Sequence, residues 1–192
     1  MNPIILASQS PRRKELMAML PVTFEVRAKE IEEKMDEQLT AKENVQSLAT
    51  QKAEIIAKEN PMSTVIGCDT IVVFEGEIFG KPRDEADAKK MLSKLSGKTH
   101  FVYTGVSILN KEKHIEECFA VSSKVTMKVL SEEEIMWYIQ TKEPLDKAGS
   151  YGIQGQAALF IEKIEGDYFN IVGLPIHALY ERLSALGMIA LA

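Results

Sequence analysis

The chain has 192 residues, 45% of them hydrophobic and 27% charged, which is typical of a globular protein and excludes a disordered one. Its 23 Lys and Arg against 28 Asp and Glu give a net charge of −5, which argues against broad binding to nucleic acid or to an anionic membrane. The two cysteines, Cys68 and Cys118, form no CxxC pair and suit a reducing cytosol, and no stretch approaches the ~18 apolar residues of a membrane span. We therefore expect one cytoplasmic domain over residues 1–192.

Strands and helices alternate in the first part of the chain. Ser10 and Pro11 suit the N-cap and first position of a helix, and Thr40 with Glu43 forms a capping box. The predicted elements here are a strand at 3–7, a helix with Leu16, Met19 and Leu20 on its inner face, a strand at 22–27, a helix from Thr40 to about Lys58 with the apolar stripe Val45, Leu48, Ala49 and Ile56, and a strong strand at 64–74.

The second part opens with a turn at 75–76 that leads into a short strand at 78–79. Asp84 is placed to cap a helix that Gly97 ends, and Ser131 with Glu134 forms another capping box. The further predicted elements are a helix at 84–95, strands at about 99–109 and 115–129, a helix at 131–141, an irregular glycine-rich segment at 146–156, strands near 157–164 and 168–172, and a helix at 175–186. Mixed strands and helices with long hairpins indicate an α/β or α+β sheet protein.

Three cations crowd the first turn of the first predicted helix. Arg12, Arg13 and Lys14 stand at the end that the helix dipole makes positive, which is unfavourable unless an anion joins them. Free N–H groups with the hydroxyls of Ser8 and Ser10 would complete a phosphate site. The alternative is a set of solvated charges on a surface helix.

Two further residues break the apolar pattern of their elements. Lys52 lies within the apolar stripe of the second helix, so it either snorkels past the edge of the core or enters a cleft. Asp69 interrupts an almost wholly apolar strand, where a carboxylate needs a cation, a metal or hydrogen-bond donors; Thr70 adds a hydroxyl beside it. The alternative for Asp69 is a strand-end residue bonded to backbone. We regard it as the most informative single residue.

The remaining candidates lie in loops. Lys81 stands in a stiff Gly-Lys-Pro turn, and Gln154 lies within a glycine-rich segment that either approaches a ligand closely or is an ordinary loop. The glycines of that segment are Gly149, Gly152 and Gly155. No P-loop motif and no zinc-ligand spacing occurs in the sequence, so a metal would be a hard cation such as Mg²⁺ or Mn²⁺ held by carboxylates and phosphate. Together these residues favour a site for a small polyphosphate.

Several long segments resemble the Maf family of nucleoside triphosphate pyrophosphatases. They are LASQSPRRKELM at 6–17, the acidic pair at 32–33, QKA at 51–53, GCDTIV at 67–72, GKPRD at 80–84, LSGKTH at 95–100, DKAGSYGIQG at 146–155 and GDYFNIVGLP at 166–175. The SPRR and YGIQG segments are similar to the dTTP/UTP branch and not to the 7-methyl-GTP branch, in which a tryptophan replaces Arg12. One departure is Cys68, where alanine is commoner.

This resemblance implies a mixed α/β fold of two lobes around a central cleft, related to inosine triphosphate pyrophosphatases and often homodimeric. It implies hydrolysis of dTTP and UTP, and of modified pyrimidine triphosphates, between the α and β phosphates with a divalent cation. The implied roles are proton acceptor for Asp69, substrate choice for Arg12, Thr70 and Gln154, phosphate binding for Ser8, Arg13, Lys52 and Lys81, and metal binding for Glu32. We expect Asp69 either to share the metal with Glu32 or to act on the attacking water, and these two roles compete.

The family was also associated with inhibition of septum formation. A second hypothesis is therefore a regulatory module that binds a nucleotide and signals to cell-division partners. The carboxylate of Asp69 favours the enzyme, because a protein that only binds an anion gains little from an acid beside the phosphates.

Overall fold

The structure is a computed structural model that describes residues 3–189. Within that range, the strands are β1 (Ile4–Ala7), β2 (Phe24–Val26), β3 (Thr64–Phe74), β4 (Glu77–Phe79), β5 (Thr99–Asn110), β6 (Ile115–Met127) and β7 (Ile161–Glu165). The α-helices are α1 (Pro11–Met17), α2 (Ala41–Glu59), α3 (Glu85–Leu95), α4 (Glu132–Gln140), α5 (Tyr168–Val172) and α6 (Ile176–Ala185). Short 3₁₀ turns occupy Glu143–Asp146, Ala148–Ser150 and Gln156–Phe160.

The strands form a mixed sheet in the order β2-β1-β3-β5-β6-β7, with β4 paired to β3. The pairs β1–β2 and β1–β3 are parallel, and each needs a crossover connection, which α1 and α2 provide. The pairs β3–β4 and β6–β7 are antiparallel. The predicted mixed α/β class is confirmed.

The chain divides into two compact units, and each contains segments that are distant in sequence. Unit 1 holds the described residues up to Asp69, then Thr104–Val121, then the described residues from Gly173 onward. Unit 2 holds Thr70–Tyr103 and Ser122–Val172. The chain passes from unit 1 to unit 2 within β3, between Asp69 and Thr70.

Unit 1 is organised by α2, which packs against β1. The apolar stripe predicted for this helix is buried, and the capping box of Thr40 and Glu43 forms as expected. A cluster of small and branched apolar side chains joins helix and sheet: Ile5, Ala7, Ala53, Ile56, Ala57, Val65 and Leu109.

Unit 2 contains α3, α4 and the 3₁₀ turns. The predicted caps Asp84 and Ser131 accept hydrogen bonds from the backbone N–H three residues later. The Tyr138 side chain on α4 is fully buried, and its ring meets the ring of Phe160 edge to face with centroids 5.5 Å apart. The predicted irregular segment at 146–156 is confirmed by its short turns.

Three predictions of local structure are wrong. The segment 168–172 is helical, because Asp167 accepts a hydrogen bond from the Phe169 N–H at 2.8 Å and starts a helical turn. The side chain of Met19 is exposed (62%), since α1 ends at Met17 and Met17 takes the buried position. Residues 157–160 belong to a 3₁₀ turn, so the strand predicted near 157–164 starts only at Ile161.

Candidate active site

Asp69 lies in β3 and is almost fully buried, with 7% of its surface exposed. Its carboxylate accepts a hydrogen bond from the ammonium of Lys52 on α2. Of the alternatives for Asp69, the structure therefore supports a cation as partner. Of the alternatives for Lys52, it excludes snorkelling, because only 19% of the lysine side chain is exposed and the ammonium is held by carboxylates.

Two glycines in unit 1 bring Lys52 within reach of Asp69. A Cβ atom at Gly67 would lie 2.2 Å from the Ala49 carbonyl oxygen, and one at Gly105 would lie 2.3 Å from the Val45 carbonyl oxygen. The backbone of α2 therefore lies directly on β3 and β5. Lys52 follows Ala49 by three residues, one helical turn, and Asp69 follows Gly67 by two residues on the same face of the strand. The ion pair results from this close approach.

The Lys52 ammonium also contacts the Glu33 carboxylate at 2.8 Å. Glu33 belongs to an irregular segment before α2, and side chains of that helix hold the segment in place. Gln51 accepts from the Lys34 N–H at 3.2 Å and donates to its carbonyl oxygen at 2.9 Å. Asn44 makes the same pair of bonds with Asp36, at 2.8 and 2.9 Å. The acidic segment is thus fixed beside Lys52.

Burial raises the pKa of the Asp69 carboxyl, and the nearby Glu33 charge acts in the same direction. The charges of Lys52 and Arg13 oppose this rise. A carboxylate with a raised pKa is a stronger base than an ordinary aspartate, and a neighbouring cation favours its ionised form. Asp69 therefore has the properties of a general base.

Arg13 connects three segments of unit 1. Its Nε donates to the Gly173 carbonyl oxygen at 2.8 Å, and its Nη1 donates to the Ser8 hydroxyl at 3.2 Å and to the Cys68 carbonyl oxygen at 3.0 Å. Cys68 immediately precedes Asp69, so the guanidinium fixes the backbone that presents the carboxylate. Phosphate binding by Ser8 and Arg13 stays a prediction.

The predicted site residues are divided between the two units. Unit 1 contains Ser8, Arg12, Arg13, Glu32, Lys52 and Asp69. Unit 2 contains Thr70, Lys81 and Gln154. Within unit 1 the structure joins Ser8 to Arg13 and Lys52 to Asp69.

Other predicted residues of unit 1 do not make these contacts. Arg12 is half-buried and Glu32 is exposed, and among residues 3–189 neither makes an ion pair. The carboxylate beside Lys52 belongs instead to Glu33, which the sequence marked only as part of an acidic pair. The Ser10 side chain accepts from the Arg13 backbone N–H at 3.5 Å and caps the short helix α1.

In the glycine-rich segment of unit 2, other side chains of the same protein pack against the glycines. A Cβ atom at Gly152 would lie 2.5 Å from the Lys147 stem, and one at Gly155 would lie 1.9 Å from a Glu143 carboxylate oxygen. Gly149 has φ of 67° and lies against Val72. These glycines therefore accommodate neighbouring side chains. The side chains of Gln154 and Lys81, by contrast, are exposed.

No group of three or more His, Cys, Asp or Glu side chains suited to a metal ion occurs in the part of the chain that the structure describes. The carboxylates of Asp69 and Glu33 meet at Lys52, and oxygen donors of this kind suit Mg²⁺, which commonly takes one or two carboxylates together with substrate phosphates. The residues fit such an ion, while the assignment of Glu32 and Asp69 as its ligands stays a prediction.

A helix long and apolar enough to cross a membrane does not occur between residues 3 and 189.

Comparison with solved structures supports the fold. A Ham1 protein from Coxiella burnetii aligns with 96% of this chain and 100% of its own, with a TM-score of 0.58 and 16% identity. The Ham1 protein of Staphylococcus aureus aligns over the same shares with a TM-score of 0.56 and 16% identity. At this level of identity the likeness concerns the fold alone.

Comparison by sequence identifies the family. A dTTP/UTP pyrophosphatase from Bacillus pumilus (strain SAFR-032) is 50% identical over 98% of both chains. A dTTP/UTP pyrophosphatase from Bacillus cytotoxicus is 52% identical over 95% of both chains. The family model described as Maf-like protein matches residues 3–186. This chain belongs to the Maf family.

Proposed function

We propose that this protein is a nucleoside triphosphate pyrophosphatase that hydrolyses dTTP and UTP to the monophosphate and pyrophosphate. The observation that carries the proposal is the buried Asp69 carboxylate held by Lys52. A site that only binds an anion gains nothing from an acid, whereas hydrolysis of a phosphoanhydride needs a base for the attacking water. The substrate assignment rests on relatives at 50 and 52% identity that bear the name dTTP/UTP pyrophosphatase.

In the proposed reaction, water adds to one phosphorus of the α–β bridge. The bond from that phosphorus to the bridging oxygen breaks, and the product that keeps the bridging oxygen departs: pyrophosphate after attack on the α phosphorus, the monophosphate after attack on the β phosphorus. The proton of the water passes to Asp69. Burial raises the pKa of Asp69, which strengthens it as an acceptor, and Lys52 and Arg13 favour its ionised form before the reaction. Little covalent assistance is needed, because positioning and charge stabilisation account for most catalysis of phosphoryl transfer.

Lys52 has a second role in this proposal. In the structure its ammonium is held by Asp69 and Glu33. A bound triphosphate would compete with these carboxylates for the ammonium, and Ser8, Arg13 and Lys81 would supply further phosphate contacts. Movement of Lys52 toward phosphate would free Asp69 to accept a proton. The predicted metal ligands are Glu32 and Asp69, and the structure adds Glu33 beside Lys52 as a further candidate. A Mg²⁺ or Mn²⁺ ion held by such carboxylates would neutralise phosphate charge.

Pyrimidine selection is assigned to Gln154, with Arg12 and Thr70 as further specificity residues. A side-chain amide can accept a hydrogen bond from uracil or thymine N3–H and donate to O4, and Gln154 carries both groups on an exposed side chain. A purine presents a different edge and a larger ring. We include modified pyrimidine triphosphates among the proposed substrates, because the amide contacts involve only N3 and O4.

The test is pyrophosphate release by the purified protein from dTTP, UTP, dCTP, dATP and dGTP with Mg²⁺ or Mn²⁺. We expect turnover of dTTP and UTP well above that of the purine nucleotides, and a smaller preference in Gln154→Ala. Equal turnover of all five nucleotides, or none, would contradict the proposal. A Gln154→Ala variant with unchanged selectivity would assign base reading to other groups.

The proposed setting is the cytoplasm. The described cysteines, Cys68 and Cys118, are both free, which suits a reducing compartment. We also propose a homodimer, which light scattering of the purified protein at several concentrations tests directly.

A further inference from the structure

The predicted base-reading residue, Gln154, stands in a tight segment of unit 2 that we call the Gln154 loop (residues 152–156). The loop is closed on itself by a hydrogen bond from the Gly155 N–H to the Gly152 carbonyl oxygen at 3.1 Å. The side chain of Gln154 is exposed, so contacts of its own side chain do not fix its position. What fixes the loop backbone therefore decides where the amide lies.

One carboxylate, that of Glu143, connects to both ends of the loop. Its Oε2 accepts a hydrogen bond from the Gln156 N–H at 3.0 Å. Its Oε1 accepts from the Tyr138 hydroxyl at 2.9 Å, and that hydroxyl accepts from the Gly152 N–H at 3.2 Å. Hydrogen bonds to a charged acceptor are about twice as strong as neutral ones. Both boundary residues of the loop are thus tied to a single anionic group.

The loop also lies in direct contact with this carboxylate. A Cβ atom at Gly155 would come within 1.9 Å of Oε1 and 2.6 Å of Oε2 of Glu143. Gly155 has φ of −97°, a value open to other residues, so φ alone does not require glycine here. The contact with Glu143 therefore explains the glycine at this position.

Further contacts hold Tyr138 and Glu143 in place. Tyr138 is fully buried, and burial raises the pKa of its hydroxyl, which keeps it neutral and able to donate to Glu143. The backbone carbonyl of Glu143 accepts a hydrogen bond from the Lys147 ammonium at 2.8 Å. The carboxylate is therefore held from α4, and the backbone of Glu143 is held by Lys147 of the same turn.

We propose that Glu143 is a positioning residue for base selection: with the Tyr138 hydroxyl it fixes the Gln154 loop, so that the Gln154 amide is presented in one orientation. This inference rests on the proposed function. Glu143 touches neither the phosphates nor the reacting atoms in this scheme, so its loss should act on discrimination between bases and on KM, and much less on kcat at saturation.

The experiment compares kcat and KM for dTTP and dGTP in wild type, Glu143→Ala, Gln154→Ala and the double variant. We expect Glu143→Ala to lower the ratio of kcat/KM for dTTP to that for dGTP by about tenfold, mainly through KM for dTTP. In the Gln154→Ala background the same change should alter the ratio less than about twofold, because the two residues act through one contact. In Glu143→Gln the ratio of kcat/KM for dTTP to that for dGTP should stay close to the wild-type value, since the amide keeps an oxygen that accepts from the Gln156 N–H.

Glu133→Ala is the matched control, because Glu133 is an exposed acid in the same unit. Thermal unfolding of each variant identifies any loss of folded protein. If Glu143→Ala does not fold, Tyr138→Phe replaces it, since this change removes only the hydroxyl that links Glu143 to Gly152.

Three outcomes separate the two proposals. A wild-type protein that releases no pyrophosphate from dTTP overturns the proposed function and this inference with it. An active wild type with an unchanged ratio in Glu143→Ala, or in Tyr138→Phe where that variant is used, overturns the inference alone. A loss of selectivity that is equally large in the Gln154→Ala background also overturns it, since the effect would not pass through Gln154.

Discussion

Replacing His100 with glutamine should remove an acid-dependent loss of stability that the wild-type protein shows below about pH 6.5. The imidazole of His100 is fully buried in unit 2. Its Nε2 is hydrogen-bonded to the Tyr151 hydroxyl at 2.7 Å, while its Nδ1 is buried without a partner among residues 3–189. Burial lowers the pKa of His100 from 6.5 to about 4, because the charged ring would lack solvation. The folded protein therefore keeps this histidine neutral.

The size of the effect follows from that lowered pKa. Between pH 6.5 and 4 the unfolded chain binds a proton at His100 that the folded protein does not, so the free energy of unfolding falls as the pH falls. The contribution is complete above pH 6.5 and is lost progressively down to pH 4. At ~1.4 kcal/mol per pH unit the total loss is about 3 kcal/mol.

The assay is urea unfolding of wild type and His100→Gln at a series of pH values from 7.5 to 4. Glutamine retains a partner for the Tyr151 hydroxyl and does not titrate. His177→Gln, at an exposed position on α6, is the control and should follow the wild type. The wild type should lose about 3 kcal/mol more than His100→Gln over this range. A difference between the two proteins that does not vary with pH would show that His100 is not kept neutral by burial.

Two further predictions concern the candidate site. Gly67→Ala should destabilise the protein by about 2 kcal/mol or more in urea unfolding, because its methyl group would overlap the Ala49 carbonyl oxygen. Gly80→Ala, the control, has open space around its Cβ and should change the free energy of unfolding by less than about 0.5 kcal/mol. Equal effects of the two substitutions would contradict the close contact between α2 and β3. Lys52→Met should raise the pKa of Asp69 further, since it removes the main charge that opposes burial, and NMR titration of that carboxyl measures the change. A lower or unaltered Asp69 pKa in that variant would mean that Lys52 does not stabilise the carboxylate.

Much of the helical structure could be predicted because helix starts depend on local chemistry. Thr40 and Ser131 bind the backbone N–H three residues later, and this contact requires only neighbouring residues. The buried strand at Thr64–Phe74 could also be predicted, because its apolar run is almost continuous.

The segment 168–172 was predicted wrongly for two reasons: the helical turn that Asp167 starts was not identified, and the rest of its structure depends on distant partners. Its last three residues are all buried, in contrast to the alternation of a strand. The Asn170 amide donates to the Val102 carbonyl oxygen at 3.0 Å and to the Ser123 hydroxyl at 2.9 Å. Hydrogen bonds between residues 47 and 68 positions apart cannot be inferred from the local pattern of apolar and polar residues.

The candidate site was predictable in its residues and not in its contacts. Lys52 and Asp69 were both identified as polar residues within apolar elements, and they form the central ion pair. Their pairing depends on the missing side chain of Gly67, whose significance appears only when α2 lies on β3. The participation of Glu33 and Glu143 likewise arises from the tertiary structure.

The role of Asp69 as the base is tested by pyrophosphate release from dTTP by wild type and by Asp69→Asn, with unfolding of both proteins followed in parallel. The amide preserves the size of the side chain and cannot accept the proton of the attacking water. We predict that Asp69→Asn is folded and releases pyrophosphate at least about a hundredfold more slowly than the wild type. A folded Asp69→Asn protein with near-normal turnover would show that Asp69 is not the base.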